Sequence, residues 1–152
     1  MKTVVEIECF ENDQIKELAI FHDNQVLQFH VKPPKTRLKP SSRDRWLTEN
    51  LHGLVYSSGK VAYEEFMNDV LLHLEGVDTV YTKGKQKTEL LQRLLPKKTV
   101  KNLEDFGCLK ISRQPYRGPY PECEARAYAF HPTSFHCAVR KAHVFGKWIN
   151  NL

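Results

Sequence analysis

Three short stretches with strand character follow one another at the start of the chain, and this crowding constrains the fold more than any other feature. Val4 to Phe10, Glu17 to Phe21 and Gln25 to Val31 read as strands. In the first, Val4, Glu6 and Glu8 alternate with Val5, Ile7 and Cys9, a period of two that sends the two sets to opposite faces of a sheet. Asp23-Asn24 makes a tight turn between the second and third stretches, so those two form a hairpin. Pro33-Pro34 then ends the sheet, because proline has no N–H to give to a ladder.

Beyond the prolines the pattern changes to strands and helices in alternation. Lys35 to Ser42 is a polar loop, and Ser41-Ser42 can cap a helix running through Trp46, Leu47 and Leu51 that Gly53 closes. Tyr63 to Leu74 carries Phe66, Val70, Leu71 and Leu74 at helical spacing. Val77 to Thr82 is an apolar strand, and a helix from Lys85 to Leu95 stops at Pro96. Val100 to Leu103 is the last strand. Gly107 to Pro121, rich in Gly, Pro, Arg and Tyr, reads as an ordered loop, and His136 to Ile149 as a closing helix with Ala138, Val139, Ala142, Phe145, Trp148 and Ile149 near one face. The expected class is α/β: three antiparallel strands, then alternating strands and helices, giving a mixed sheet flanked by helices. With 152 residues, no interdomain linker and no repeat, the expectation is one domain spanning 1–152 that buries roughly 70% of its unfolded surface.

Charge narrows the function. The formal net charge of +5 favours an anionic partner, and the lysines are clustered: Lys83, Lys85 and Lys87 lie near Lys97, Lys98 and Lys101, with Arg113 and Arg117 in a later loop. Phosphate-binding surfaces need such clusters, since counterion release supplies most non-specific affinity. A solvated face is the plainer reading of any single lysine. No run of about 18 apolar residues is present, so no membrane span is expected. Met1 to Glu6 reaches an acid too early for a secretory leader, which leads to the expectation of an intracellular protein, cytoplasmic or nuclear.

Three segments carry a family likeness. Glu6-Ile7-Glu8 stands where DnaQ-type 3′–5′ exonucleases have Asp-x-Glu; Tyr81 to Leu91 has the outline of a second exonuclease motif, with Lys87 at its metal-binding Asp. His136-Cys137-Ala138-Val139-Arg140-Lys141-Ala142 resembles their His-x-Ala-x-x-Asp-Ala motif, with Lys141 at the final acid and His136 at the general base. The chain thus resembles that RNase H-like class with a degenerate acid site. Two-metal nucleases use carboxylates to hold the cations that activate water and stabilise the leaving oxygen. Of the four positions the resemblance assigns (Glu6, Glu8, Lys87 and Lys141), two are acids. A protonated lysine repels cations and offers no lone pair, so the likeness implies loss of Mg²⁺ or Mn²⁺ chemistry and a salt-bridged remnant of the site.

A second set of residues suggests zinc. Cys108, Cys123, His131 and Cys137 are spaced Cys-x14-Cys-x7-His-x5-Cys around a stretch without hydrophobic periodicity. Cys3His is a preferred structural zinc set, and one ion would staple a Pro- and Gly-rich loop against the final helix. His136 is an alternative ligand to His131. The competing reading is three reduced cysteines acting as small buried hydrophobes, with Cys9 in the core. The plan is also similar to the maelstrom domain of the germline small-RNA pathway, an RNase H-like fold without its acid tetrad that carries a Glu-His-His-Cys zinc set. The closing Cys-Ala-x-x-Lys-Ala followed by Trp resembles uncharacterised arthropod proteins, some associated with mobile elements or viruses.

These observations converge on a pseudo-nuclease that binds RNA or single-stranded nucleic acid through Lys83, Lys85, Lys87 and Lys141. Two alternatives stay open: a nuclease using Glu6, Glu8, Asp105 and His136 in a rearranged or metal-independent site, and a protein-interaction module on the same scaffold. Tyr116, Tyr120 and Tyr128 either stack on bases or pack the loop, and packing is the simpler role. Gly84 between Lys83 and Lys85 lacks the rest of a P-loop signature.

Overall fold

The computed structural model describes residues 1–126 and 136–152. The chain is an α/β protein with a five-stranded mixed sheet between helices, its strands ordered β3-β2-β1-β4-β5. β1 (Thr3–Phe10), β2 (Gln14–His22) and β3 (Gln25–His30) form the antiparallel part, and β4 (Thr79–Thr82) and β5 (Thr99–Asn102) add to the β1 side in parallel. Asp23 and Asn24 take φ of 50° and 64°, the left-handed pair that a two-residue hairpin with native twist requires. Parallel β4 and β5 need a crossover between them, which α3 (Lys85–Leu94) supplies.

Local signals explain most element ends. Ser41 caps α1 (Ser42–Leu47) in a reciprocal box: its hydroxyl accepts from the Asp44 N–H at 3.1 Å, and the Asp44 carboxylate accepts from the Ser41 N–H at 2.9 Å. A π-helical turn, Thr48–His52, follows and ends at Gly53 with φ of 71°. The second helix is shorter than its spacing suggests, with α2 covering Phe66–His73 and residues 63–65 forming a turn before it. Strand β2 starts at Gln14, ahead of the expected Glu17. Lys16 in this extension is buried, its ammonium donating to the carbonyls of Tyr56 and Ser58.

The alternation in β1 decides which side chains go to which layer. Val5 and Ile7 join Leu18 and Ile20 of β2 against Phe66, Val70, Leu90 and Leu91 of α2 and α3. Val4, Ala19 and Phe21 face α4 (Ala138–Asn150) and pack on Ala138, Val139, Ala142, Phe145 and Ile149. Glu6 and Glu8 share parity with Val4, and Glu17 shares it with Ala19 and Phe21, so three acids are carried into the layer under α4. Each large side chain buried there contributes on the order of 1.5–3 kcal/mol.

α4 approaches β2 closely because Gly146 has no side chain. A Cβ at that position would collide with the ring of Phe21. Gly146→Ala should therefore destabilise the fold by roughly 1–3 kcal/mol, although alanine is favoured over glycine in a helix interior by about 1 kcal/mol. Chemical denaturation is the measurement; a stabilised variant would show that α4 does not lie this close to Phe21.

Candidate functional site

Two clusters of charge lie beneath α4, and both are anchored on the acids that strand parity brings there. The first joins Glu6 and Glu8 of β1 to Lys87 of α3 and Lys141 of α4. Lys87 Nζ donates to Glu6 Oε1 at 3.0 Å, and Lys141 Nζ lies 3.7 Å from Glu8 Oε2. The other oxygen of Glu6 accepts from Thr82 Oγ1 at 2.8 Å and from the Lys83 backbone N–H at 2.9 Å. Glu6 is fully buried, and both its oxygens are engaged by protein donors. Burial pulls the Lys87 pKa down, but the charges of Glu6 and Glu8 and the hydrogen bond to Glu6 more than offset it, so this lysine stays firmly protonated. Burial also lowers Lys141, with the neighbouring Lys87 charge adding to the effect against Glu8 and Glu6.

All of these charged residues but Glu8 line a cavity of about 370 Å³. Glu6, Lys83, Lys87 and Lys141 line it together with His136, Phe145 and three residues of the loop that the motifs do not touch, Lys110, Ile111 and Ser112. Lys83 is held by Glu104 across 3.2 Å. Lys85 is exposed in the first turn of α3, beside the cavity rather than in its lining. His136 is lowered in pKa, chiefly by burial and then by Lys141. Asp105 is exposed on the turn after β5 and does not line the cavity.

The second cluster lies in the same layer, centred on Glu17 of β2. The guanidinium of Arg126 meets Glu17 in a bidentate pair, with Nη1 to Oε2 and Nη2 to Oε1 both at 2.6 Å and both side chains fully buried. Nη1 also lies 3.0 Å from Cys123 Sγ and 3.2 Å from Cys137 Sγ, while Nε donates to the His52 carbonyl and Nη2 to the His136 carbonyl. Glu17 further accepts from Gln28 Nε2 at 2.6 Å and from the Ala138 N–H, the first of α4, at 2.9 Å. Although burial opposes it, the Arg126, Ala138 and Gln28 bonds hold the Glu17 carboxyl below the usual range. The neighbouring Cys137 thiol lowers the Cys123 pKa, while Cys123 and burial raise that of Cys137.

Glu17, Cys123 and Cys137 offer ligand atoms within 4.8 Å of one another and form a buried group able to hold a metal ion. The sequence places Cys123 and Cys137 in such a group but misses Glu17, whose only signal was its parity with Ala19 and Phe21. Cys108 is buried elsewhere, its sulfur accepting from Gln114 Nε2 at 3.4 Å, and it is not a member of the group. His131 and Tyr128 lie outside the described residues. Cys9 packs against the α2–α3 side of the core.

Of the loop residues weighed as base and phosphate contacts, Tyr116 and Tyr120 are half-buried, and Arg113 and Arg117 are exposed. Tyr116 donates to the Pro119 carbonyl and bonds His143 Nε2 at 3.0 Å, and Tyr120 lies under the guanidinium of Arg140. Arg117 donates to the carbonyls of Gln114 and Tyr116 in its own loop. Lys98 likewise binds the carbonyls of Leu74 and Val77.

Comparison with known protein families, with curated proteins and with solved structures finds no match to this chain. No helix among the described residues is long and apolar enough to cross a membrane.

Removing one member of a buried ion pair leaves the other charge stranded, a loss of about 3–5 kcal/mol. Arg126→Met should show a loss of that order in urea denaturation, and pairing it with Glu17→Gln should recover much of it. If the single variant is nearly neutral, the guanidinium does not carry this junction.

Proposed function

We propose that this chain is a pseudo-nuclease: an RNase H-like domain with a disabled acid site that binds RNA or single-stranded nucleic acid without cutting it. One observation carries the reading. The Glu6–Lys87 and Glu8–Lys141 pairs lie at the cleft, with Glu8 behind the lining, and these lysines are the residues that the exonuclease likeness assigns to two of the four acid positions. A hard divalent cation wants several oxygen ligands, and here the oxygens of Glu6 already face three protein donors. His136 as a base would have no metal-activated water to work on. Three antiparallel strands followed by parallel ones, with helices on both faces, support the RNase H-like assignment. Lys83 and Lys85 at the start of α3, with Lys87 and Lys141 behind them, supply the positive face that holds phosphates.

The test is a gel shift with labelled single- and double-stranded RNA and DNA in Mg²⁺, Mn²⁺ and EDTA. A shift without cleavage is expected, strongest for single strands. Contacts to three or four phosphates should make it weaken roughly 20- to 50-fold between 50 and 200 mM salt. Lys83→Glu with Lys85→Glu should reduce affinity at least about tenfold. Divalent-dependent cleavage lost in His136→Ala would establish a working nuclease instead, and absence of any salt-sensitive shift would move the function to a protein partner.

We further propose that Glu17, Cys123 and Cys137 hold one structural zinc ion; of the two histidines that the spacing offers as a further ligand, His131 lies outside the described residues and His136 lines the lysine cavity. The donor set suits zinc, which takes thiolate, imidazole and carboxylate in tetrahedral sites. Arg126 lies among the donors, so zinc requires the guanidinium to move aside. Elemental analysis of the purified protein should give about one zinc per chain, lost in Cys123→Ser and Cys137→Ser but retained in Cys108→Ser. A metal-free protein that is fully folded and takes up no added zinc would leave Arg126 as the sole staple.

A further inference from the structure

The lysine cleft points to a more specific ligand than nucleic acid at large, and the inference rests on the binding function proposed above. We infer that the cavity receives a phosphorylated end of a single strand, taking the terminal phosphomonoester rather than an internal phosphodiester.

Size is the first reason. A space of about 370 Å³ is at the lower end of small-ligand sites and matches one nucleotide, not a strand running through. Its walls differ in character: Lys83, Lys87, Lys110 and Lys141 bring ammonium groups, Ser112 brings a hydroxyl, and Ile111 and Phe145 bring apolar surface that suits a sugar or base.

Charge is the second. Lys87 and Lys141 are matched by Glu6 in the lining and by Glu8 behind it. Lys83 and Lys110 remain. Lys83 is held by the half-exposed Glu104, a solvent-screened pair that a bound anion can replace. Lys110 is exposed and makes no ion pair among the described residues. Four lysines against Glu6 and Glu8 leave about two positive charges in excess once an incoming anion has turned Glu104 out to solvent, and about one while Glu104 stays on Lys83. A diester brings one negative charge; a monoester brings nearly two at neutral pH. The doubly charged end fits this cleft, and a chain interior would leave it half neutralised.

The sequence order adds a reason of geometry. Lys83 follows β4 and Lys110 lies in the later loop, and both line the cavity, so a phosphate reaching both joins two separate segments of the chain. Such bridging suits a terminal group.

The experiment is fluorescence anisotropy on one single-stranded RNA sequence in four forms: 5′-phosphate, 3′-phosphate, hydroxyl at both ends, and circular. One phosphorylated form should bind about tenfold or more tightly than the hydroxyl-ended and circular forms, as charge-assisted bonds to one added charge imply. Lys110→Ala, an exposed change with little risk to folding, should bring the forms within about twofold. Equal binding of all four overturns the end-specific site while leaving nucleic-acid binding intact. If no form binds, the broader function fails with it. A free nucleoside monophosphate that competes as well as the phosphorylated strand overturns the strand end as ligand and assigns the pocket to a small molecule.

Discussion

A single buried guanidinium organises the α4 side of this protein. Arg126 joins β2 through Glu17, the turn before Gly53 through the His52 carbonyl, and the start of α4 through the His136 carbonyl and the Cys137 sulfur. Arginine suits that position because its planar fork presents five N–H donors in fixed directions. Glu17 completes the arrangement by accepting the first N–H of α4, where the helix dipole favours negative charge. Neither ion would be tolerated there alone. Together they place a helix that has no acidic residue in its first turn.

The position of α4 then determines the cleft. Cys137, Lys141 and Phe145 are four residues apart and fall on one stripe of the helix, so fixing the first aligns the others. Cys137 belongs to the Arg126 cluster, Lys141 faces Glu8, and Phe145 forms part of the apolar wall beside Ile111. The buried staple and the lysine cleft are thus ends of the same helical ridge. Metal at the first end would act on the second through this helix, by changing what holds its first turn.

The sheet was legible in the sequence because its rules are local. Period-two alternation in β1 told which residues share a face, and Asp23-Asn24 told where the hairpin turns. That alternation also brought Glu6 and Glu8 to one side, and the motif likeness put Lys87 and Lys141 opposite them, an arrangement the structure reproduces. Glu17 and Arg126 escaped for the converse reason. They meet across 109 positions, between a strand and a loop without periodicity, and such a contact leaves no spacing to read. The third wall of the cleft was missed likewise, since Lys110, Ile111 and Ser112 lie in a loop whose course depends on packing against α4. Cys108 shows the limit of ligand spacing: a cysteine in a loop near others in sequence need not be near them in space.

The same charges bear two readings, and magnitudes separate them. A buried lysine–glutamate pair is weak evidence for stability, because desolvation offsets most of its Coulombic gain. A fold seeking only stability would do as well with apolar residues at Glu6 and Lys87. The pair lies beside an open cavity whose lining also carries Lys83 and Lys110, where the anion proposed above would meet the ammonium groups. The acids then have a role of their own. They keep Lys87 charged in a desolvated place and offset part of the positive charge of the cleft. Without Glu6 and Glu8 the cleft would hold Lys87, Lys110 and Lys141 unbalanced beside the Lys83–Glu104 pair, and the cost of gathering them would fall on the fold.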